Sequence, residues 1–270
     1  ATLSSTRTTE ETGAVKINRK KGVRPLSLVV SLGRGNPFHS LAGLNESSPD
    51  VNVTLLRIGN LCGILAPLLW AFAIILCGEL RPEYSHFTQY ISELGERGSS
   101  TEFLMRYAGF VPTGLMHMAF AAFLYFAVRG GRLTMIAAML VGLNGLARIG
   151  AGLFPCEPGC VSPKALLSQQ LHSLSAGIGF FAIVAASVMW GFIMRRHQRL
   201  RGLSLYSVGC GALGLAFLLL MVRSDELRAG TGLYERLSSG VLSLWLLLFA
   251  IGLWRQGADG VSVATANPSL

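Results

Sequence analysis

The sequence predicts an all-α polytopic membrane protein, a bundle of six transmembrane helices. Hydrophobic residues make up 51% of the chain and charged residues only 14%, whereas about a quarter of a typical soluble domain is charged. The mean hydropathy is +0.50. Six apolar segments follow residue 55, and each is near the length of about 20 residues that a helix needs to cross a bilayer. Within these 270 residues, little room remains for an extramembrane catalytic domain.

The first fifty residues differ from the rest of the chain. They are rich in Ser, Thr, Gly, Asn and basic residues and show no sustained hydrophobic period, which predicts a disordered basic N-terminal tail over residues 1–50. Its one apolar patch, Leu26–Leu32, is too short for a signal peptide with a convincing cleavage site. We expect the membrane domain to occupy residues 51–257, and a second disordered tail to follow over residues 258–270.

Hydrophobic runs define the predicted helices, and the loops between them contain the charges. The predicted segments are Leu56–Gly78, Leu104–Val128, Leu133–Phe154, Leu171–Met194, Leu203–Val222 and Tyr234–Trp254. Basic residues without acidic neighbours lie in the short loops after the second and fourth segments: Arg129, Arg132, Arg195, Arg196, Arg199 and Arg201. The positive-inside rule therefore places these loops and both termini in the cytoplasm. The predicted location is the inner (plasma) membrane of a bacterial cell.

The net charge of +9 does not indicate nucleic-acid binding. Most basic residues of the membrane domain lie at helix ends, as topology signals do, and they do not form one basic face. Nucleic acid is therefore not an expected partner. Membrane lipid is an expected partner. A partner transmembrane helix or a second copy of the chain is a further expectation.

Two cysteines follow the third segment in the string "GLFPCEPGC". Cys156 and Cys160 enclose a Pro-Gly turn that can bring their Cα atoms within bridging distance. The predicted topology places them outside the cytoplasm, where disulfides persist. We therefore predict a disulfide, with free thiols or metal ligation as alternatives. Zinc would need two more ligands, and only His172 is an obvious candidate. Neither a resident metal nor another cofactor is expected.

Polar side chains inside apolar helices are costly and need a partner or a role. Asn144 and Arg148 lie four residues apart and share one face of the third segment. Arg148 could instead serve as an interfacial anchor, because its long side chain can reach the membrane surface. His117 lies near the middle of the second segment, where a hydrogen-bonded packing role is the alternative to a functional one.

Further polar residues lie at the predicted outer ends of the segments. Ser92 and Glu93 precede a glycine in the first loop, His172 lies at the start of the fourth segment, and Glu235 and Arg236 lie at the start of the sixth. If these residues converge with Arg148, they form an outward-facing polar cup with a cation for a phosphate and a His/Glu pair for proton transfer. The alternative is that Glu235 and Arg148 pair only to stabilise helix ends.

Four motifs in a fixed order resemble one known family. They are "CGILAPLLWAFAIILCGELRPEYSHFTQYISELGERGS", "GLFPCEPGC", "LHSLSAGIGF" and "GLYERL". Together they are similar to the membrane proteins of the domain-of-unknown-function 998 family of bacteria and archaea. The similarity extends over about Leu61 to Trp254. It implies a six-helix membrane protein whose motifs include Ile91–Gly95, the two cysteines, His172 and Glu235-Arg236, and it implies no established activity.

Three functional hypotheses follow from these residues. The leading hypothesis is a membrane protein that binds a lipid, a small amphiphile or a partner helix through the cup. The second is a membrane-embedded enzyme acting on a lipid headgroup, with His172 as general base, Glu235 as its orienting group and Arg148 holding an anion. The third is a small-solute transporter, which is disfavoured because no broken-helix pair repeats in the two halves of the sequence.

Overall fold

A computed structural model describes residues 53–128, 131–161, 166–198, 200–225 and 229–265. Six long helices dominate this part of the chain: α1 (Val53–Glu79), α2 (Glu102–Ala127), α3 (Arg132–Leu153), α4 (Leu167–Met194), α5 (Arg201–Ser224) and α6 (Thr231–Thr265). No strand occurs among these described residues, so the predicted all-α fold is confirmed. The predicted N-terminal tail lies outside the described residues, while the backbone of α6 continues through residues 258–265.

All six helices contain a stretch long and apolar enough to cross a membrane. The predicted segments agree with the observed helices to within four residues at every boundary except the end of α6, which continues eleven residues past the predicted Trp254. A helix satisfies its own backbone hydrogen bonds and is therefore the stable form of an apolar segment in lipid. The chain is therefore a multi-pass membrane protein.

The helices form a closed ring in which each contacts its neighbours in sequence and α6 returns to α1. Helices α2 and α3 approach most closely where two glycines face each other. A Cβ added at Gly114 would lie 2.6 Å from the carbonyl oxygen of Gly145, and one added at Gly145 would lie 2.6 Å from that of Gly114. Such close backbone contact between helices requires small residues.

The two ends of the ring differ. One end, here called the long-loop end, carries the connection of residues 80–101, together with the α3–α4 and α5–α6 connections. The other, the short-loop end, carries the α2–α3 and α4–α5 loops. Four large aromatic side chains with at most 1% of their surface exposed fill the half of the bundle nearer the short-loop end: Phe120, Trp190, Trp245 and Phe249. That half is therefore a packed apolar core.

A π-helical stretch, Met105–Phe110, interrupts the first part of α2. Within it, Arg106 donates through Nε to the carbonyl of Gly152 at 2.7 Å and through Nη2 to that of Leu153 at 3.0 Å. These carbonyls belong to the last turn of α3, where a cation stabilises the helix end. The contact holds the part of α3 that contributes to the site described below.

Ion pairs and hydrogen bonds hold the long connection in place. Arg81, just past the end of α1, contacts Glu96 at 2.5 Å and donates to the carbonyl of Glu93 at 2.6 Å. Glu96 also accepts from the backbone N–H of Gly159 at 2.5 Å. The connection is thereby joined both to α1 and to the loop that follows α3.

The predicted Cys156–Cys160 disulfide is present in that loop, which confirms the prediction. The carbonyl of Cys156 accepts from the backbone N–H of Arg97 at 2.9 Å, and its sulfur lies 3.7 Å from the carbonyl oxygen of Ser92. The disulfide loop therefore packs against the short 3₁₀ helix Ile91–Gly95.

Candidate ligand-binding site

A polar cavity lies inside the ring toward the long-loop end. Helices α1, α2, α3, α4 and α6 and the 3₁₀ helix all contribute to its wall. Six residues that the sequence analysis singled out line it: Ser92, His117, Asn144, Arg148, His172 and Glu235. The space open to the centres of water molecules is about 70 Å³, and because one water needs about 10–15 Å³ of such space, there is room for roughly five waters or a small headgroup.

Arg148 is the cation of this cavity. Its Nε and Nη1 atoms are buried, and within the described part of the chain they have no hydrogen-bond partner. No carboxylate there lies within ion-pair distance of the guanidinium, so the expected alternative of an Arg148–Glu235 ion pair is not observed. Its guanidinium carbon instead lies 4.1 Å from the centroid of the Trp70 ring. This cation–π contact covers one face of the group.

Trp70 is the main cavity residue that the sequence analysis missed. Its indole N–H donates to the hydroxyl of Ser239 at 2.9 Å, and its ring packs edge-on against Phe110 at 4.9 Å between centroids. A buried tryptophan usually finds a partner for its N–H. A tryptophan in the middle of an apolar segment was therefore the signal that could have identified it.

Glu235 is held at one of its two carboxylate oxygens. Oε2 accepts from the backbone N–H of Ile91 at 2.6 Å, which fixes the start of the 3₁₀ helix against α6. Among the described contacts, Oε1 has no hydrogen-bond donor. One carboxylate oxygen is thus available to a group inside the cavity.

Both cavity histidines are oriented by backbone carbonyls. The Nδ1 atom of His172 lies 3.0 Å from the carbonyl oxygen of Ala151 and 2.8 Å from that of Phe154, and Nδ1 of His117 lies 2.6 Å from that of Thr113. Carbonyl oxygens only accept hydrogen bonds, so each Nδ1 carries a proton and the neutral ring is left with Nε2 as an acceptor.

The proposed His172–Glu235 pair does not form a hydrogen bond in the described structure. The end of α3 orients the imidazole of His172, while the 3₁₀ helix orients Glu235. The two side chains line one cavity without contacting each other in the way that a general base and its orienting carboxylate would.

Asn144 presents an acceptor to the same region. Its Nδ2 donates to the carbonyl of Gly179 on α4 at 3.3 Å, which assigns the other amide position to oxygen. That oxygen, Oδ1, is buried and has no donor among the described residues. A buried acceptor without a donor is costly unless water or a ligand supplies one.

Arg236, a predicted ligand-binding residue, does not line the cavity. It donates to the carbonyls of Gln89 at 2.9 Å and Gly232 at 2.8 Å, to Nδ1 of His86 at 3.1 Å and to the hydroxyl of Tyr84. Burial raises the pKa of Tyr84 above its ordinary value, and burial together with Arg236 lowers the pKa of His86. Arg236 therefore contacts neutral groups of the long connection and serves to hold it.

Glu93, the other predicted residue outside the cavity, also acts within the long connection. It accepts from the backbone N–H of Tyr90 at 3.0 Å and from the side chain of Gln89 at 2.8 Å. These contacts stabilise the 3₁₀ helix from its first turn.

A metal site at the cysteines is not supported by this geometry. Ligand atoms of Cys156, Cys160 and His172 lie within 4.8 Å of one another, but the two sulfurs are joined in a disulfide. Metal binding by cysteine requires the thiolate. His172 alone does not make a metal site, so these residues do not fit a metal ion.

The cavity wall combines polar and apolar side chains along its depth. Phe180, Ile183 and Leu242 form part of the wall within the bundle, and the polar side chains of His117 and Ser243 lie at a similar depth. Ile183 and Leu242 also belong to the apolar core that fills the other half of the bundle. The cavity therefore borders the apolar core directly, and its lining is mixed at that depth.

One protein family matches the chain. Its description is Protein of unknown function (DUF998), and the match extends over residues 64–252, which include every residue lining the cavity. No curated protein and no solved structure matches the chain. Because the match covers well over half of the sequence and includes the motifs at Ile91–Gly95, the two cysteines, His172 and Glu235, the chain belongs to the DUF998 family.

Proposed function

We propose that this protein binds an amphiphile of the membrane that carries an anionic group, and that the headgroup occupies the polar cavity with its anion on Arg148. The observation that carries this proposal is the guanidinium itself, which has two buried nitrogen atoms without an acceptor in the described structure. Leaving a buried charged donor unpaired costs free energy, and an anionic ligand would recover it.

The chemistry of the guanidinium limits the class of anion. Its N–H groups match the oxygens of a phosphate or a carboxylate. The Trp70 ring contacts the guanidinium at 4.1 Å from its centroid to the guanidinium carbon. This contact covers a face of the guanidinium and supplies no acceptor to its N–H groups.

The wall of the cavity favours an amphiphile over a wholly polar solute. Apolar side chains such as Phe180 and Leu242 share the wall with the polar groups. An amphiphile with its headgroup in the cavity would contact both kinds of side chain. The apolar part gains from burial at about 25 cal/mol per Å².

The other two hypotheses have less support. The hypothesis of an enzyme assigned Glu235 as the orienting group of His172, and Nδ1 of His172 is instead directed at the carbonyls of Ala151 and Phe154. A transport path would have to pass the aromatic core around Trp190 and Phe249, whose ring centroids lie 4.8 Å apart. Binding requires neither feature.

Thermal unfolding in a neutral detergent tests the proposal with dodecyl phosphate as the added amphiphile. A ligand present at about 100 times its Kd stabilises the folded state by about 2.7 kcal/mol, so the Tm of the wild type should rise. We expect no such rise for Arg148→Gln. The matched control is Arg195→Gln, because Arg195 also stacks on an aromatic ring, Phe192 at 5.2 Å, but is exposed near the short-loop end. It should respond as the wild type does.

Inorganic phosphate in place of dodecyl phosphate separates an amphiphile from a free anion. We expect the free anion to produce a much smaller rise in Tm at the same concentration, because it has no apolar part to bury. An equal rise with inorganic phosphate would contradict the amphiphile. An equal rise in Arg148→Gln would contradict the role of the arginine.

A further inference from the structure

Besides the donor Arg148, the cavity contains several fixed hydrogen-bond acceptors, which an anion alone would leave without donors. We infer that the headgroup carries a primary ammonium next to its anion, as an aminophospholipid of the phosphoethanolamine class does. This inference rests on the proposed function and specifies the ligand for the same cavity. The inference is drawn from the hydrogen bonds that the two histidines, Asn144 and Glu235 make in the structure.

The histidines contribute two acceptors. His117 and His172 both use Nδ1–H on backbone carbonyls, so Nε2 of each neutral ring can only accept. Neither Nε2 has a partner within the described part of the chain, and both residues line the cavity. At pH 8 an imidazole is ordinarily neutral, and a ligand with N–H or O–H donors would satisfy both rings.

Asn144 and Glu235 add acceptors of different kinds. The amide oxygen of Asn144 is buried without a donor among the described residues. Glu235 uses one oxygen for the backbone N–H of Ile91 and presents the other to the cavity. Because a carboxylate is ordinarily ionised at pH 8, the strongest partner for this oxygen is a cationic donor.

The two charges of the cavity are separate. Arg148 and Glu235 line the same space, yet they are not an ion pair within 4.0 Å in the described structure. A zwitterion with its anion on Arg148 and its cation on Glu235 would compensate both. A ligand with only an anion would leave the carboxylate without a counter-charge, which is costly in a desolvated site.

Common headgroups can be ranked by these requirements. Phosphoethanolamine has a phosphate and an ammonium with three N–H donors. Phosphocholine has the same charges, but its quaternary ammonium has no N–H. Phosphoglycerol has hydroxyl donors but no cation. Only the first supplies both the charge that Glu235 requires and the donors that the imidazoles require.

The test uses native mass spectrometry of the full chain released from neutral detergent at pH 8. The micelles contain equal amounts of dioctanoyl phosphatidylethanolamine, phosphatidylcholine and phosphatidylglycerol. We expect the wild type to retain phosphatidylethanolamine at least about tenfold over the other two, because one charge-assisted hydrogen bond contributes enough for a tenfold preference. Glu235→Gln should remove this preference, since the glutamine oxygen can still accept from Ile91 while its NH₂ faces the ammonium.

Glu93→Gln is the matched control. Glu93 is buried in the 3₁₀ helix that Glu235 contacts and also accepts a backbone N–H, that of Tyr90 at 3.0 Å, but it does not line the cavity. It should keep the wild-type preference. A control that lost the preference would show that the effect comes from the connection and would overturn the assignment to Glu235.

The outcomes separate this inference from the proposed function. Equal retention of the three lipids by the wild type, all reduced in Arg148→Gln, would overturn the ammonium and leave the anionic amphiphile in place. A preference for phosphatidylglycerol would also overturn the ammonium. Retention that does not depend on Arg148 would contradict the proposed function itself.

Discussion

The guanidinium carbon of Arg148 on α3 lies 4.1 Å from the centre of the Trp70 ring on α1. Helices α1 and α3 are not neighbours in the ring, so this contact reaches across the cavity. It joins the cation of the candidate site to a residue whose N–H is itself bound to Ser239 on α6. Three helices are thereby linked through one aromatic side chain.

Substitution of Trp70 should separate its two contributions. Trp70→Phe keeps an aromatic face for Arg148 but removes the N–H that binds Ser239, so we expect the free energy of unfolding to fall by about 1 kcal/mol. Trp70→Leu removes the aromatic face as well and should also weaken binding of dodecyl phosphate, because a desolvated cation–π contact contributes up to about 2 kcal/mol. Unfolding in mixed micelles with increasing SDS measures stability.

The control for Trp70 is Trp254→Leu. Trp254 is 41% exposed near the other end of the bundle, so its loss should change stability by less than about 0.5 kcal/mol. Unchanged dodecyl phosphate binding in Trp70→Leu would contradict a role for the ring in holding Arg148.

The close contact of Gly114 and Gly145 between α2 and α3 leads to a second prediction. In Gly145→Ala, the new Cβ would lie 2.6 Å from the carbonyl oxygen of Gly114, which forces the helices apart, so we expect a loss of about 1–3 kcal/mol in the free energy of unfolding. Gly177→Ala on α4 is the control, because nothing lies within 4 Å of its added Cβ. It should be neutral or stabilising by up to about 1 kcal/mol. Similar losses in both variants would contradict the close approach.

The two ion pairs of the long connection should differ in strength. Arg81 and Glu96 have side-chain exposures of 22% and 7%, whereas Arg97 and Glu157 have 52% and 19%. Arg81→Gln leaves a buried carboxylate with weaker compensation and should cost about 3 kcal/mol. Arg97→Gln should cost less than about 1 kcal/mol. SDS-induced unfolding of the two variants measures the difference, and equal costs would show that the connection does not depend on the buried pair.

The orientation of the bundle is a separate prediction. Reporter fusions after Arg132 and Arg201 should report the cytoplasm, and fusions near Pro163 and Arg228 should report the opposite side, because basic residues concentrate in the α2–α3 and α4–α5 loops. Paired phosphatase and fluorescent-protein fusions at each site make the measurement. The reverse pattern would place the cavity on the cytoplasmic side.

The sequence predicted much of the candidate site because the apolar segments contain few polar residues. Asn144 and Arg148 lie on α3, His172 on α4 and Glu235 on α6, yet each lies in the half of its helix nearer the long-loop end. In a six-helix bundle, residues at the same depth can meet, and the structure shows that these four line one cavity. Glu93 and Arg236 lie at a similar depth but do not line the cavity. Depth alone does not determine which way a side chain points.

The sequence by itself determined the six helices, the family and the disulfide. Lipid requires every backbone polar group of an apolar segment to be satisfied internally, so hydropathy alone predicts a helix there. The tertiary structure decided how each helix is rotated about its axis, and therefore that Arg148 stacks on Trp70 and that His172 faces the end of α3 instead of Glu235. It also decided the π-helical stretch that directs Arg106 at that end. These features depend on packing between residues far apart in the chain, for which apolar helices carry little local signal.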